Sequence, residues 1–456
     1  MSPVEIVAMI AAAAAVSAYW LPRGARRPVF ASALVAVAVA AVVLGFTGLR
    51  WQAAPMLAAA AIACAARVCT RRRVRRWAAV AGTAGCAGLV AATPVASWAM
   101  PVAVYPEPTG PFAVGAAVVE WTDEARPEPF TADPDDRRVI VAQFWYPAEA
   151  APGAERAFAG RETAAESRLV TESSAEFFGI PPFLVADTAT ARSHAVFGAP
   201  AAGTERYPVV VFSPGLSATR TANTVLAEEW ASRGYVVVTV DHTFDAAVTV
   251  VGDEPVAGRN TVPATEAEAA RANRENLGMR TADLSFVLSQ VEDGAVPEPL
   301  AGRVDAGRAA VAGHSRGAAA ALATAAADPR FDAVVHLDGG LEPSLPPGPF
   351  GQPALSIVSP VSADRNPDYL PELDRALEAG TGERLRIELP GAGHFSFTDA
   401  ALYFPPLPSV LGAADRREGL RATAEATGVF LDAALRAVPT DLASELARYG
   451  PLTEYA

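Results

Sequence analysis

One serine in this chain lies in a pentapeptide whose residue types suit a nucleophile. The segment GHSRG, Gly313 to Gly317, follows an apolar run and leads into an alanine-rich stretch, which predicts a tight turn from a strand to a helix. Glycines let backbones approach closely there, and the amide dipoles of the helix point at a developing oxyanion. The pattern predicts Ser315 as a nucleophile, with a purely structural turn as the alternative.

A nucleophilic serine needs a base, and the chain has five histidines. His394, in GAGHFSFTD, follows the last predicted strand, where a Ser, acid, His order requires the base. His242 ends the predicted strand VVVTVDH and is a candidate for lining the site. The other three are predicted to be a neighbour of the turn, a core residue and a surface residue, namely His314, His336 and His194.

Two aspartates compete for the role of the acid that orients the imidazole. Asp338 ends the strand after the nucleophile helix, immediately before two glycines, so its carboxylate is expected to be held firmly. Asp364 follows the next strand in a looser loop, and a solvated turn residue is the alternative there. The residues themselves leave both assignments open.

An oxyanion hole needs a second backbone N–H besides the one that follows the serine. The segment FSPGLSATR, Phe212 to Arg220, comes after an earlier predicted strand. Gly215 allows a turn, so the amide of Leu216 is predicted to pair with that of Arg316 as oxyanion donor.

Cofactor chemistry has no candidate ligands in this sequence. The three cysteines, Cys64, Cys69 and Cys86, all lie in the apolar N-terminal part, and no Cys and His cluster has metal-ligand spacing. We therefore expect neither a metal nor an organic cofactor, nor a disulfide framework.

Charge divides the chain into two parts. The formal net charge is −13, with 37 basic residues, all arginine, against 50 acidic ones. The first hundred residues hold ten arginines and one glutamate, so the remainder carries about −22. An acidic globular part repels phosphate backbones, and nucleic acid is excluded as a partner.

The first part, residues 1–102, reads as a membrane region. Four apolar runs are each near the ~20 residues that a helix needs to cross a bilayer, at residues 4–20, 29–49, 51–68 and 77–100. A signal peptide is the alternative for the first run, but such peptides begin with a basic region and only Glu5 is charged here.

The arginines predict the topology of this membrane region. They gather in two segments separated by two spans, Arg23 to Arg27 and Arg71 to Arg76, which therefore lie on one face. The positive-inside rule makes that face cytoplasmic. The sequence thus predicts a multi-pass protein of a bacterial cell membrane, with the large C-terminal part outside the cytoplasm.

The second part alternates short β-branched runs with alanine-rich helical stretches. This alternation predicts an α/β fold, a mainly parallel sheet with helices on both faces. Residues 103–118 are rich in proline and glycine and read as a linker, 119–440 as the catalytic domain and 441–456 as a tail. Ligands bind at the carboxyl ends of parallel strands, where the polar candidates lie.

Residues 106–404 resemble the platelet-activating factor acetylhydrolase, or group VII phospholipase A2, branch of the α/β-hydrolases. The likeness rests on several segments, namely PTGPFAVG, VAQFWYPA, VVVFSPGLSATRT, ASRGYVVVTVDHTFDA, VAGHSRG, DPRFDAVVHLDGGL and GAGHFSFTD. The resemblance implies an α/β-hydrolase fold. It favours Asp338 over Asp364 as the acid and matches Leu216 and Arg316 to the family's oxyanion donors.

The chain also departs from that family's pattern. Pro214 stands where the family has a histidine, Arg316 where it has an aromatic residue, and Gly339 and Gly340 where an aromatic follows the acid. The spelling GHSRG resembles chlorophyllases and polyester-cleaving hydrolases. Fold and ester hydrolysis are therefore expected to carry over better than phospholipid preference.

The expected function is a membrane-anchored serine esterase that acts on lipid or other short-acyl esters. Two apolar segments, residues 175–184 and 402–408, could flank the cleft or touch lipid, with ordinary packing as the alternative. An esterase of a different substrate class and a catalytically silent binding module remain the alternatives for the whole chain.

Overall fold

The computed structural model describes residues 1–69, 75–259, 263–341 and 348–455. The described chain forms two compact units, one from Met1–Val102 with Tyr403–Pro405 and the other from Ala103–Leu402 and Pro406–Ala456. The first corresponds to the apolar, arginine-bearing part of the sequence and the second to the acidic part.

The first unit consists of four apolar helices. They are α1 (Pro3–Ser17), α2 (Arg23–Thr47), α3 (Ala54–Cys69) and α4 (Arg76–Ala99). With the short 3₁₀ turns at Ala18–Trp20 and Trp51–Ala53 included, all four are long and apolar enough to cross a membrane.

One boundary differs from the prediction. Helix α2 begins at Arg23 and not at residue 29, so the first arginine segment forms its opening turns. Long arginine side chains can occupy the end of a spanning helix because their charged tips reach outward. In the second segment Arg75 and Arg76 are described, whereas residues 71–73 lie outside the described residues.

The second unit is built on strands and helices in alternation. Its strands are β1 (Ala113–Pro127), β2 (Arg137–Ala148), β3 (Val196–Phe197), β4 (Tyr207–Ser213), β5 (Val236–His242), β6 (Val248–Val251), β7 (Glu254–Ala257), β8 (Val304–His314), β9 (Ala333–Leu337), β10 (Ala354–Val358), β11 (Arg384–Glu388) and β12 (Leu452–Tyr455). Its helices are α5 (Ala164–Phe177), α6 (Thr224–Ser232), α7 (Glu266–Glu292), α8 (Arg316–Ala327), α9 (Pro360–Arg365), α10 (Tyr369–Glu378), α11 (Pro408–Leu411), α12 (Glu418–Arg436) and α13 (Leu442–Leu446).

Ten of these strands form one sheet in the order β12-β11-β10-β9-β8-β4-β5-β2-β1-β3. The strands from β11 to β5 are parallel, and β2, β1 and β12 add antiparallel pairings at the two sides. This architecture confirms the predicted fold class. The chain reverses its direction of winding at β4, which lies between β5 and β8, so the crevice at the carboxyl ends of β4 and β8 is the expected site.

Alternate residues of the central strands bury on opposite faces of the sheet. On β4, Val210 and Phe212 face the core that α6 and α12 cover, while Val209 and Val211 face the core that α7, α8 and α10 cover. All four side chains are at most 1% exposed. Because both faces are covered, the central strands are continuous apolar runs, and the carboxyl edge is where polar groups can lie.

The predicted domain boundaries need correction at both ends of the catalytic unit. In the predicted linker 103–118, the N–H of Thr109 donates to the Glu229 carboxylate at 2.8 Å, and strand β1 begins at Ala113. In the predicted tail 441–456, β12 pairs antiparallel with β11 and Leu446 is fully buried. Proline, glycine and polar residues suggested loose chain, but tertiary hydrogen bonds and burial fix both segments.

Candidate active site

The chain turns sharply between β8 and α8, and Ser315 occupies the turn with φ +55° and ψ −121°. This is a strained conformation for a residue with a Cβ. A Cβ at Gly313 would lie 2.2 Å from the carbonyl oxygen of Gly317, and one at Gly317 would lie 2.0 Å from that of Ser213. Only glycine fits at either position, so the two glycines of GHSRG are there to let the turn form.

A hydrogen-bonded line runs from the serine to a carboxylate. Ser315 Oγ lies 3.0 Å from His394 Nε2, and His394 Nδ1 lies 2.8 Å from Asp338 Oδ2. The three side chains come from the end of β8, the end of β9 and the loop after β11. The geometry suits a nucleophile, a general base and an orienting acid, in that order.

The carboxylate of Asp338 is buried, with 1% of the residue exposed. Besides His394 it accepts hydrogen bonds from the Ser359 amide at 2.8 Å, the Ser362 hydroxyl at 2.6 Å and the Tyr369 hydroxyl at 3.1 Å. Burial acts to raise the pKa of Asp338, but its hydrogen bonds and the nearby histidine outweigh burial and hold that pKa below its usual range. The acid therefore stays ionised in a dry site.

Asp364, the alternative acid, lies elsewhere. It is an exposed residue of α9, the short helix that begins after the Ser359 amide. Asp338, and not Asp364, is the hydrogen-bond partner of His394 Nδ1. The segment that carries Asp364 instead supplies two of the donors that hold Asp338, from Ser359 and Ser362.

The two predicted oxyanion residues flank the serine. Arg316 is the first residue of α8, where backbone N–H groups point outward and the helix dipole favours negative charge. Its guanidinium donates to Asn273 Oδ1 on α7 at 3.0 Å. Leu216 lies in the loop after β4 with 54% of its surface exposed. Both residues lie at the crevice where the sheet reverses its winding.

His314 and His336 form buried hydrogen bonds next to the turn at Ser315. His314 donates through Nε2 to the carbonyl oxygen of His394 at 2.9 Å, and its ring lies 4.7 Å from that of His394. His336 lies between Ser356 Oγ at 2.8 Å and the Gly339 carbonyl at 2.9 Å. Burial lowers the pKa of His314 to about 3 and that of His336 to about 4, so both rings are neutral at physiological pH.

His242 does not line the cleft as the sequence suggested. It is 1% exposed, and its ring nitrogens bond Ser213 Oγ and Asp283 Oδ2, each at 2.9 Å. Its position at the end of β5 put it at the correct edge of the sheet, but it is buried between the end of β4 and helix α7. His194 is partly buried and lies near Arg156 Nη1 at 3.4 Å, away from the triad.

Sequence reasoning missed the side chains that hold the site residues in place. They are Ser359, Ser362 and Tyr369 around Asp338, Asn273 on Arg316, and Arg280 beneath the loop after β4. A serine directly after the buried strand β10 was a usable signal for the first of them. Ser362 and Tyr369 lie on the next two helices, α9 and α10, and Asn273 and Arg280 lie on α7, and their sequence contexts carried no such signal.

Comparison with known proteins identifies the family of the second unit. The family model of platelet-activating factor acetylhydrolase, isoform II, matches residues 183–438, more than half of the chain. That range includes the serine, aspartate, histidine and both oxyanion candidates, and it excludes the four N-terminal helices.

Individual relatives are named as esterases or hydrolases. A "Probable 1-alkyl-2-acetylglycerophosphocholine esterase" of Arthroderma benhamiae is 28% identical over 58% of this chain and 65% of its own length. A bis(hydroxyethyl) terephthalate hydrolase of Streptomyces coelicolor is 28% identical over 50% of this chain and 64% of its own. This chain thus spans less than two thirds of either relative. A solved ferulic acid esterase from Streptomyces cinnamoneus matches with a TM-score of 0.61 and 27% identity, over 78% of this chain and 99% of that one.

The two candidate acids can be separated by substitution. Asp338→Asn is expected to lower kcat about 10³- to 10⁴-fold on a p-nitrophenyl ester, because an amide no longer fixes the tautomer of His394 or stabilises its cation. Asp364→Asn, the matched control on exposed α9, is expected to stay within about twofold of wild type. Equal losses, or a loss for Asp364→Asn alone, would reassign the acid.

The buried neutral histidines predict a loss of stability in acid. Their ordinary pKa is 6.5, whereas His314 and His336 in the fold titrate at about 3 and about 4. Between pH 6.5 and 4 the unfolded chain therefore binds more protons, so stability present above pH 6.5 is lost as the pH falls. Each histidine contributes up to about 1.4 kcal/mol per pH unit.

The measurement is Tm against pH for wild type and for His336→Gln, which cannot take up the proton. The wild-type Tm should fall between pH 6.5 and 4, and the decline should be shallower in the variant. Parallel curves would show that His336 does not titrate on unfolding.

Proposed function

The chain belongs to the platelet-activating factor acetylhydrolase, isoform II, family and has an α/β-hydrolase fold, and from this premise we propose that it is a carboxylic ester hydrolase that works as a membrane-anchored serine esterase. The nucleophile is Ser315, the base His394 and the acid Asp338. The observation that carries the proposal is the hydrogen-bonded line between these three side chains, at 3.0 and 2.8 Å.

The reaction begins with the removal of a proton from Ser315. His394 Nε2 takes the hydroxyl proton while Oγ forms a bond to the ester carbonyl carbon, and the carbonyl oxygen becomes an oxyanion held by the amides of Leu216 and Arg316. The carbon–oxygen bond to the alcohol then breaks, and His394 returns the proton to the leaving oxygen. An acyl group remains on Ser315.

Water completes the cycle by the same steps. His394 takes a proton from water as the oxygen attacks the acyl carbonyl, and the second tetrahedral intermediate releases the acid and restores Ser315. The imidazolium that forms in each half faces the ionised carboxylate of Asp338. Because four donors hold that carboxylate, the charge pair needs little rearrangement during the reaction.

We propose lipid or other short-acyl esters as the substrate class. Support comes from the family and from the acetylglycerophosphocholine esterase among its relatives. Esters of aromatic acids are the second candidate, favoured by the terephthalate hydrolase and the ferulic acid esterase. Gly340 also favours the second class, because a Cβ there would meet nothing within 4 Å and the cleft is open beside the acid.

The four apolar helices support a membrane anchor. In the proposed arrangement the arginine segments lie in the cytoplasm and the catalytic unit outside it, since an even number of spans brings both ends to one side. Phe178 and Phe183, in the apolar segment 175–184, are 55% and 57% exposed, and Leu407 in the segment 402–408 is 52% exposed. Their exposure suits contact with an apolar substrate or a lipid surface.

Active-site labelling tests the proposal. A fluorophosphonate should label the folded wild-type protein at one serine and abolish ester hydrolysis, and Ser315→Ala should lose both labelling and activity. Ser362→Ala, which removes a donor to Asp338 and leaves the nucleophile in place, should still be labelled. A folded wild type that resists the reagent would favour the catalytically silent binding module.

An ester panel then identifies the substrate class. Short-acyl phospholipids, p-nitrophenyl esters of graded acyl length and hydroxyethyl terephthalate or ferulate esters are compared by kcat/KM in the full-length protein. A preference for short-acyl phospholipids of at least tenfold supports the lipid assignment. A preference of that size for the aromatic esters overturns it and leaves the triad assignment intact.

The membrane topology is tested with a reporter fused after the last residue. An alkaline phosphatase reporter, which requires an oxidising compartment, should be active, and a cytoplasm-dependent fluorescent reporter at the same position should be dark. The reverse pattern would refute the four-span arrangement.

A further inference from the structure

Arg280 is a fully buried cation in the middle of α7. Its Nε donates to Asp245 Oδ2 at 2.7 Å, and its Nη2 also bonds that oxygen, so the two charges neutralise each other. A buried guanidinium is tolerated only when its other N–H groups also find acceptors. Those acceptors lie in the loop after β4.

The guanidinium grips three successive residues of that loop. Nη1 donates to the Pro214 carbonyl at 2.6 Å and to Ser213 Oγ at 3.0 Å, and Nη2 donates to the Gly215 carbonyl at 3.0 Å. The planar fork of arginine fixes the relative orientation of both carbonyls in a way that a lysine ammonium cannot. The loop is therefore clamped from its buried side.

This clamp determines where the next N–H points. In a trans peptide the C=O of one residue and the N–H of the next are antiparallel, and the described residues contain no cis peptide bond. With the Gly215 carbonyl turned toward Arg280, the Leu216 N–H points the opposite way. Among the residues that the structure describes, that N–H has no acceptor.

On its opposite side the loop faces Ser315, the proposed nucleophile. A Cβ at Gly215 would lie 3.5 Å from Ser315 Cβ and 3.3 Å from His314 Nδ1. The loop thus passes against the serine, and a Cβ at Gly215 would be in van der Waals contact with Ser315 and tight against His314. We propose that Arg280 is the positioning residue of the oxyanion hole, which aims the Leu216 N–H at the reacting carbonyl and strengthens it as a donor. The inference rests on the proposed function.

Polarisation supplies the second part of the effect. A cation that bonds the carbonyl oxygen of a peptide draws electron density from its nitrogen, so the N–H on the other side becomes a stronger donor. Since the dipole is set before substrate binds, no reorganisation is needed when the oxyanion forms.

A chain of buried polar groups holds Arg280 and Ser213 in turn. Ser213 donates its hydroxyl proton to His242 Nε2, and His242 Nδ1 donates to Asp283, whose carboxylate receives the fork of Arg138 at 3.2 and 2.7 Å. Burial and the charge of Arg280 lower the pKa of His242, and the neutral ring is the form whose Nε2 can accept. The tautomer follows from these partners.

The test compares chemistry with ground-state binding in the full-length protein. Arg280→Lys should lower kcat on a p-nitrophenyl ester about 10- to 100-fold while KM changes less than about threefold, a smaller loss than removal of an oxyanion donor causes. A trifluoromethyl ketone, which adds to Ser315 and places an oxyanion in the hole, should lose affinity by the same factor as kcat/KM. A KM effect alone, or an unchanged inhibitor affinity, overturns the proposal.

Arg384→Lys is the matched control. Arg384 is also buried, at 4% exposure, and also donates to backbone carbonyls, those of Gly382 and Leu377 at 2.7 and 3.1 Å. It lies on β11, away from the oxyanion loop. Its substitution should lower Tm with less than about threefold change in kcat and in inhibitor affinity. Equal losses in both variants would make the Arg280 effect merely structural.

Two further measurements keep the outcomes separate. If Arg280→Lys does not fold, Asp245→Asn loosens the guanidinium from behind and should lower kcat and inhibitor affinity together by about three- to tenfold; no change in either overturns the inference. If wild type is not labelled by a fluorophosphonate, the proposed function fails. If wild type and Arg280→Lys are labelled at the same rate, the inference alone fails.

Discussion

The site depends on one electrostatic constraint, that a carboxylate almost completely removed from water must remain ionised. Asp338 meets it with four donors, drawn from the histidine loop, from the start of α9 and from α10. The removal of such a group from water costs several kcal/mol unless hydrogen bonds replace the lost hydration. The residues after β9 and β10 and the first residue of α10 therefore enclose one negative charge. His394 connects that charge to Ser315 through its two ring nitrogens.

A buried positive charge has the corresponding place on the other side of the serine. Arg280 lies beneath the loop after β4 and is neutralised by Asp245, while Asp338 is hydrogen-bonded to His394. Ser315, the proposed nucleophile, lies between the two, at the point where the sheet reverses its winding. Asp338 faces the imidazole of His394, whose charge changes in the proposed reaction, and Arg280 faces the Gly215 carbonyl, on the side of the peptide opposite the proposed oxyanion donor. Both charges are fixed before a substrate arrives.

Part of the fold and of the site could be predicted from the sequence because local residue patterns determine it. Apolar strands alternating with helical stretches predicted the sheet, and GHSRG with its context predicted the turn at Ser315. Chain order selected His394. The choice between Asp338 and Asp364 depends on which carboxylate can reach His394, and the spacing of the residues alone left this open. In the structure, Asp338 is the hydrogen-bond partner of His394 Nδ1. Arg280 could not be found in this way, since it comes 65 residues after Gly215, whose carbonyl it binds, and looks like any polar residue of a long helix. The sequence did not predict the short strand β12 for a related reason. Its pairing with β11, and not its own composition, makes it a strand.

The buried residues that hold the site in place tolerate substitution less well than the residues at the rim of the cleft. A substitution at Arg280 or Tyr369 disturbs a buried bond to the oxyanion loop or to the acid, whereas the chain's departures from the family pattern lie where contact with substrate is expected. Gly340 is exposed and faces open space, so the aromatic side chain that the family carries near this position is missing without strain. Arg316 keeps its backbone amide at the start of α8 whatever its side chain is, because the amide belongs to the helix, while the side chain bonds Asn273 on α7. The proposed catalytic frame is therefore compatible with both phospholipid and aromatic esters, and we expect a few residues at the rim of the cleft, and not Ser315, His394 and Asp338, to decide the substrate class of this chain.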